Sequence, residues 1–251
     1  FNDYLETSSG SDVNDATSNP LQQGLIAWYP FDGNATDMSG NELDANSLGV
    51  TFVSDRFGDH GKSASFAGSS SSYVEINRVP KPEKNFSLGM WLHPNESNLD
   101  GAFDSAPSQS YVLRTSNSIV EWWGNEHFDI KFQPLNWFSL VCVFESTAEN
   151  KALSIFKDGK IVKKSIKSAA SQLAWTIPKL GNLNNGSTGR VYKGFIDDVR
   201  IYNRALSAEE IELLYRAESP NHFVLSANNL EMIWVEPGTF TMGSPTTEAG
   251  R

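Results

Sequence analysis

From Gly24 onward the chain alternates between short apolar clusters and breaks rich in Gly, Asn, Ser and Pro. The clusters are built from Val, Ile, Phe, Tyr and Trp, whose branched or flat side chains suit a pleated, half-buried surface. This pattern predicts strands over 24–31, 50–53, 63–67, 72–77, 86–93, 110–114, 117–123, 127–132, 137–145, 152–157, 160–166, 177–181 and 194–202. The clearest hairpin is Ala152–Val162. Its centre, Asp158-Gly159, suits a type I′ turn because both residues tolerate positive φ. Alternation puts Leu153 and Ile155 on one face of that strand, with Ser154 and Phe156 on the other. One helix is predicted over 207–218. Ser207 caps it, Glu210 completes a capping box, Leu206 staples against Ile211, and Ile211, Leu214 and Tyr215 form the apolar stripe. Many short strands and a single helix predict an all-β fold: an antiparallel sandwich of jelly-roll type with one short C-terminal helix.

Residues 1–22 are polar and acidic without periodicity and read as a linker. The sandwich is expected over 23–218 and a second linker over 219–229. A new β-like segment, Leu230–Phe240, then begins, and 230–251 is too short to bury a core of its own. These last residues read as the start of a further domain. The chain begins with Phe1 rather than Met, as a mature or excised fragment does. No apolar run reaches the ~18 residues of a membrane span.

Seven Trp and fifteen Phe supply a sizeable core. The single Cys142 excludes an internal disulfide, and its apolar run, Phe138–Phe144, predicts a buried, inert thiol. The net charge is −10, and it is unevenly placed. The first basic residue is Arg56, preceded by Asp3, Glu6, Asp12, Asp15, Asp32, Asp37, Glu42, Asp44 and Asp55. The other 196 residues carry 21 acids and 20 bases. Such a chain lacks the basic surface that nucleic acid or anionic lipid requires.

Chemistry concentrates in three places. Asp32, Asn34, Asp37, Ser39, Asn41 and Asp44 offer oxygens at short spacing, as a Ca²⁺ loop does. The same residues also serve as ordinary turn caps through backbone N–H groups. Trp122-Trp123, with Tyr111, Arg114, Asn125, His127 and Asp129 around them, combine indole faces with polar partners, the chemistry that binds sugar rings. The alternative is that both indoles pack in or on the sandwich. Lys157, Lys160, Lys163, Lys164 and Lys167 read as a solvated edge that blocks strand addition. The other reading of these lysines is a patch for an anionic polysaccharide. His60, His93, His127 and His222 have no metal-ligand spacing, and neither a His-Glu-x-x-His nor a Gly-x-Ser-x-Gly motif occurs. The carboxylate-bearing strand of jelly-roll glycosidases, Glu-x-Asp-x-(x)-Glu, is also missing, so the fragment carries no recognisable catalytic set.

Several phrases in order resemble one family. Trp28–Asn41 is similar to the opening of laminin G-like, concanavalin A-like jelly rolls of the pentraxin-related type. So are Gly61–Phe66, Tyr73–Ile76, Phe86–His93, Trp137–Val143 and Phe156–Gly159, and Gly194–Ile211 is close to the family's closing signature. At Phe138 and Ser139 the chain departs from the family's usual His pair. The resemblance implies that the acidic loop lies near Asp197-Asp198. It also implies a structural calcium ion held by Asp32, Asn34, Asp37, Asn41, Asp197 and Asp198. Strand alternation would point one Asp of the pair inward and the other outward. A second resemblance, Met232–Ser244 with Glu248 and Gly250-Arg251, is to the start of formylglycine-generating-enzyme-like (sulfatase-modifying-factor) domains, whose active-site residues lie beyond this opening. The expectation is a non-catalytic binding module of a multidomain extracellular, cell-surface or periplasmic protein. Carbohydrate or a glycoprotein is the expected ligand, bound by Tyr111, Arg114, Trp122, Trp123, Asn125 and His127. The rivals are an accessory domain of an enzyme and an adhesive spacer.

Overall fold

The computed structural model describes residues 21–80, 84–96, 101–104, 112–113, 119–122, 126–168, 177–182, 191–220, 222–225 and 230–233. The first strands are β1 (Leu25–Tyr29), β2 (Asn46–Leu48), β3 (Thr51–Val53), β4 (Ser63–Ala67), β5 (Tyr73–Glu75) and β6 (Phe86–Pro94). The middle of the chain supplies β7 (Phe103–Asp104), β8 (Val112–Leu113), β9 (Ile119–Trp122), β10 (Glu126–Asp129), β11 (Phe138–Ser146) and β12 (Asn150–Lys157). Then follow β13 (Lys160–Ser168), β14 (Lys179–Leu180), β15 (Lys193–Tyr202), the helix α1 (Ala208–Glu218), β16 (His222–Leu225) and β17 (Leu230–Ile233).

An eight-stranded sheet runs β13-β12-β11-β6-β15-β4-β3, with β1 also paired to β15. A five-stranded sheet runs β2-β5-β14-β7-β8. The strands of both sheets pair antiparallel, as turn-linked short strands require. Alternate residues of β6 (Phe86, Leu88, Met90 and Leu92) face inward. There they meet Val74, Phe103 and Leu180 of the smaller sheet in one continuous core. This is the sandwich that the pattern predicted.

The outer face of the large sheet is covered by α1. Ser207 and Glu210 form the capping box, and Leu206 joins Ile211 in a second apolar cluster with Val141, Val143 and Phe156. Tyr215 stacks on Trp91 of β6 with ring centroids 5.7 Å apart. The β12–β13 turn has Asp158 and Gly159 both at positive φ, as a type I′ turn needs. Gly159 is also a packing requirement, because a Cβ there would sit 3.0 Å from Tyr215. Leu153 and Ile155 lie in the main core and Phe156 lies under the helix, as alternation predicted. Cys142 is buried, and burial pushes its thiol pKa upward, consistent with an inert side chain.

Three strands had no sequence signal. Asn46–Leu48 is fully exposed and exists by pairing with β5. Phe103–Asp104 is only two residues long. His222–Leu225 falls within the expected 219–229 linker and pairs with β17 in its own two-stranded sheet.

Candidate functional site

The acidic loop folds back on β1 through its own side chains. Asp37 Oδ1 accepts hydrogen bonds from the Trp28 and Ser39 amides, each at 2.9 Å. Its Oδ2 accepts from Ser39 Oγ at 2.8 Å and from the Leu43 amide at 3.0 Å. Asp44 accepts from the Asp37 amide, and Asn34 from the Thr36 amide. Asn41 Nδ2 donates to the Leu25 and Ile26 carbonyls. Asn34 to Thr36 and Asp37 to Ser39 are Asx-type bonds two residues apart, whereas the bonds of Asp37 to Trp28 and Leu43 and of Asn41 to Leu25 and Ile26 reach across the fold.

Asp197 and Asp198 face a different partner. Arg56 Nη1 lies 2.5 Å from Asp197 Oδ2, and Nη2 lies 2.7 Å from Asp198 Oδ2. Arg56 Nε also donates to the Glu218 carbonyl at 2.6 Å. The guanidinium is sandwiched by rings, 4.6 Å from the Trp91 centroid and 4.7 Å from Phe57. Asp198 further accepts from Trp28 Nε1 at 2.7 Å, and Arg200 lies over the Trp28 ring at 4.4 Å. Glu218, at the end of α1, accepts from Trp91 Nε1 at 2.8 Å and pairs with Arg200. Three carboxylates and two guanidiniums thus join β1, β6, β15, the turn after β3 and the end of α1.

The expected split of Asp197 and Asp198 between the two faces is corrected by this geometry. The register of β15 against β6 shifts between Asp197 and Arg200, and Asp198 has φ +45°. That bulge adds a residue on one side of the ladder, so both carboxylates turn to Arg56. Burial, and the negative charge of Asp198, raise the Asp197 pKa to about 8, with Arg56 pulling the other way. Burial also acts to raise Asp198, but Arg200 and Arg56 outweigh it and hold that carboxyl below its ordinary value.

This network floors a cleft of about 340 Å³, with Phe57, Asp32, Asp59 and Lys62 among its lining residues. Of the six residues expected to hold calcium, Asp32, Asp197 and Asp198 line this cleft, while Asn34, Asp37 and Asn41 do not. Asp32 is exposed and 3.4 Å from Lys62. The oxygens of Asp37, Asp197 and Asp198 are thus occupied by N–H and O–H donors and by Arg56. A Ca²⁺ ion, which needs 6–8 oxygens, would have to displace these donors. Among the described residues, no group of three or more His, Cys, Asp or Glu is placed to hold a metal.

A second cleft, of about 370 Å³, opens where the β10–β11 connection meets the end of β12. Its lining is Lys131, Phe132, Gln133, Asn136, Trp137 and Lys157, over buried Phe138. Trp137 is half-buried and leans on His93, with centroids 5.2 Å apart. Phe132 stacks on Phe138 at 5.4 Å. Gln133 and Asn136 are exposed, and their mutual hydrogen bond is long, at 3.4 Å. The connection is fixed by Leu135, whose φ is +64° and whose amide donates to the Pro94 carbonyl at 2.8 Å.

Of the expected sugar-binding residues, Tyr111, Arg114, Trp123 and Asn125 lie outside the described residues. Trp122 and His127 are placed on β9 and β10 by backbone alone, paired with Glu126 and Glu121 respectively in that hairpin. The sequence marks Trp137 only as the start of a strand, and Arg56 only as the first base. No periodic signal makes either part of a site, because each acts through residues distant in the chain.

An antiparallel sandwich of two sheets with one helix on its outer face is a lectin-like jelly roll. Residues 68–212, more than half of the chain, match the laminin G family model described as the concanavalin A-like lectin/glucanases superfamily, and the chain belongs to that superfamily. Among solved structures it is similar to domain 4 of AbnA, a GH43 extracellular arabinanase from Geobacillus stearothermophilus, determined with arabinotriose. There the TM-score is 0.55 at 19% identity, covering 76% of this chain and 98% of that one. It is also similar to the ligand-binding domain of botulinum neurotoxin serotype D in complex with N-acetylneuraminic acid, with TM-score 0.63, 15% identity, and coverage of 81% and 53%. The binding domain of Paraclostridial mosquitocidal protein 1 gives TM-score 0.60 at 16% identity, with coverage of 78% and 53%. The chain spans about half the length of those two toxin domains. At such identities the likeness is one of fold. No curated protein matches the sequence.

Proposed function

We propose that this chain is a non-catalytic, carbohydrate-binding module of a multidomain extracellular protein. The observation that carries this reading is the second cleft. Indole and phenyl rings at Trp137 and Phe132 offer apolar faces for the C–H side of a sugar ring. The exposed amides of Gln133 and Asn136 offer donors and acceptors for its hydroxyls. The fixed backbone at Leu135 holds these groups before a ligand arrives, which lowers the entropy lost on binding. The arabinotriose and N-acetylneuraminic acid bound by two proteins of similar fold support the choice of ligand class. By contrast, the buried polar groups of the first cleft bond to one another, so its floor acts as a structural latch.

The test is a glycan array on the full chain, repeated with Trp137→Ala and Asn136→Ala. Binding to a polysaccharide that either substitution abolishes supports the reading. Failure to bind any neutral, carboxylated or sulfated glycan leaves an adhesive or structural spacer. The rival reading is an accessory domain of an enzyme whose catalytic part follows the sandwich. Residues 231–251, which resemble the start of a formylglycine-generating-enzyme-like domain, are read as the opening of a linked C-terminal domain.

A further inference from the structure

The second cleft differs from the rest of this acidic molecule in charge. Its lining contains two lysines and no carboxylate. Lys131 is exposed and forms no ion pair among the described residues. Lys157 Nζ lies 5.5 Å from the Phe138 ring centroid, over the cleft floor, and 2.6 Å from Asp158 on the turn behind it. Lys160 is the register partner of Lys157 across the hairpin and is exposed. Lys163 continues the positive row along β13, the edge strand of the large sheet. Lys164 on that strand lies 3.6 Å from Glu145, so the row is not uniformly unpaired.

We propose that the ligand of this cleft is an acidic polysaccharide, with a sugar carboxylate or sulfate group set between Lys131 and Lys157. This rests on the carbohydrate-binding reading above and names its substrate class. The ring face stacks on Trp137 and Phe132, and hydroxyls meet Gln133 and Asn136. Further acidic units of the chain run along Lys160 and Lys163. Positive charge on an edge strand explains resistance to strand addition. It does not explain why two lysines border aromatic rings and exposed amides on the adjoining connection. A protein of net charge −10 repels polyanions at long range. Recognition must therefore be local, combining short-range stacking with paired cations.

The experiment titrates the full chain with three probes of equal length: an oligogalacturonate, a sulfated glucan oligomer and a neutral glucan oligomer. The oligogalacturonate or the sulfated oligomer is expected to bind at least about tenfold more tightly than the neutral one, as one well-placed charge pair provides, and the stronger of the two identifies the acidic group. The double substitution Lys131→Gln/Lys157→Gln should remove that preference, and raising the salt should do the same. Trp137→Ala should weaken every probe. Equal binding of neutral and acidic probes, unaffected by the lysine changes, overturns the acidic-ligand inference while leaving carbohydrate binding intact. Binding of none of the probes overturns both. Polyglutamate binding as tightly as the acidic sugars, with no loss in Trp137→Ala, reduces the site to a general polyanion surface and also overturns the inference. Unchanged far-UV and near-UV circular dichroism of each variant separates lost binding from lost fold.

Discussion

Arg56 and Asp197 are 141 positions apart in the chain, and their side chains meet at 2.5 Å on the large sheet's outer face, beneath the end of α1. Arg56 also takes Asp198 and the carbonyl of Glu218, the last residue of α1. One guanidinium thus ties the turn after β3 to the central strand β15 and to the end of the helix. Its five N–H donors in a planar fork suit this work better than an ammonium would.

Arg56→Ala is expected to destabilise the fold by about 3–5 kcal/mol, because it breaks a buried ion pair from one side, leaving Asp197 without its cation and Asp198 with Arg200 alone. Urea unfolding followed by Trp fluorescence measures this. Combining Arg56→Ala with Asp197→Asn and Asp198→Asn should destabilise less than the sum of the separate changes, since the uncompensated charge is removed together with its partner. Strict additivity would show that the three residues are not one unit.

Calcium should not alter thermal stability. Anything that binds only the folded state raises Tm by mass action, and here the oxygens of Asp37, Asp197 and Asp198 already accept from N–H and O–H donors. Scanning calorimetry in excess chelator and in millimolar Ca²⁺ should return the same Tm. A rise with calcium would restore the ion that the acidic loop suggested.

Asp197 makes stability depend on pH. Its pKa is raised from the ordinary 3.8 to about 8 in the fold, so the folded state holds this proton more tightly than the unfolded chain. Its stabilising contribution is complete below about pH 4 and declines as pH rises toward 8. Asp198, held low by Arg200 and Arg56, contributes in the opposite sense, above its unfolded pKa. Asp197→Asn should therefore flatten the fall in Tm across that same window. An unchanged slope in that variant would assign the dependence to another group.

Asp37 stitches the acidic loop to β1 through four hydrogen bonds, two of them from amides of the loop's own later residues. Asp37→Ala should cost about 1.5–3 kcal/mol, the range for hydrogen bonds to a charged group. Amide hydrogen exchange at Ser39 and Leu43 should rise in the variant. Protection equal to that of the parent would mean the loop is held by other contacts.

Much of the architecture was legible from the chain. Alternation in 86–93, 137–145 and 194–202 reads directly as β6, β11 and β15, because a strand with one face in the core must place an apolar residue at every second position. Asp158-Gly159 specifies its turn, since few residues accept positive φ twice in succession. Ser207 and Glu210 mark the helix start by a contact spanning three residues. Strands such as Asn46–Leu48 stayed hidden because they are held by a partner's backbone and bury no side chain of their own.

The candidate sites divide along the same line. Local sequence was enough to mark Asp37, Asn34 and Asn41 as loop-forming oxygens, and turn capping was one of the two roles it allowed. It could not choose the donors that face them, nor foresee that a bulge in β15 would turn Asp197 and Asp198 toward one arginine. The charge imbalance before Arg56 was visible as a count, yet its meaning depended on which acids meet which bases. The aromatic and basic cleft likewise joins Trp137 and Phe132, on one connection, to Lys157 at the end of another strand. Short-range periodicity and turn chemistry act within a few residues, so the sequence alone determined the sandwich, its hairpin and its helix. Pairing between groups scores of residues apart is settled by which strands lie side by side, and only the tertiary structure decided that.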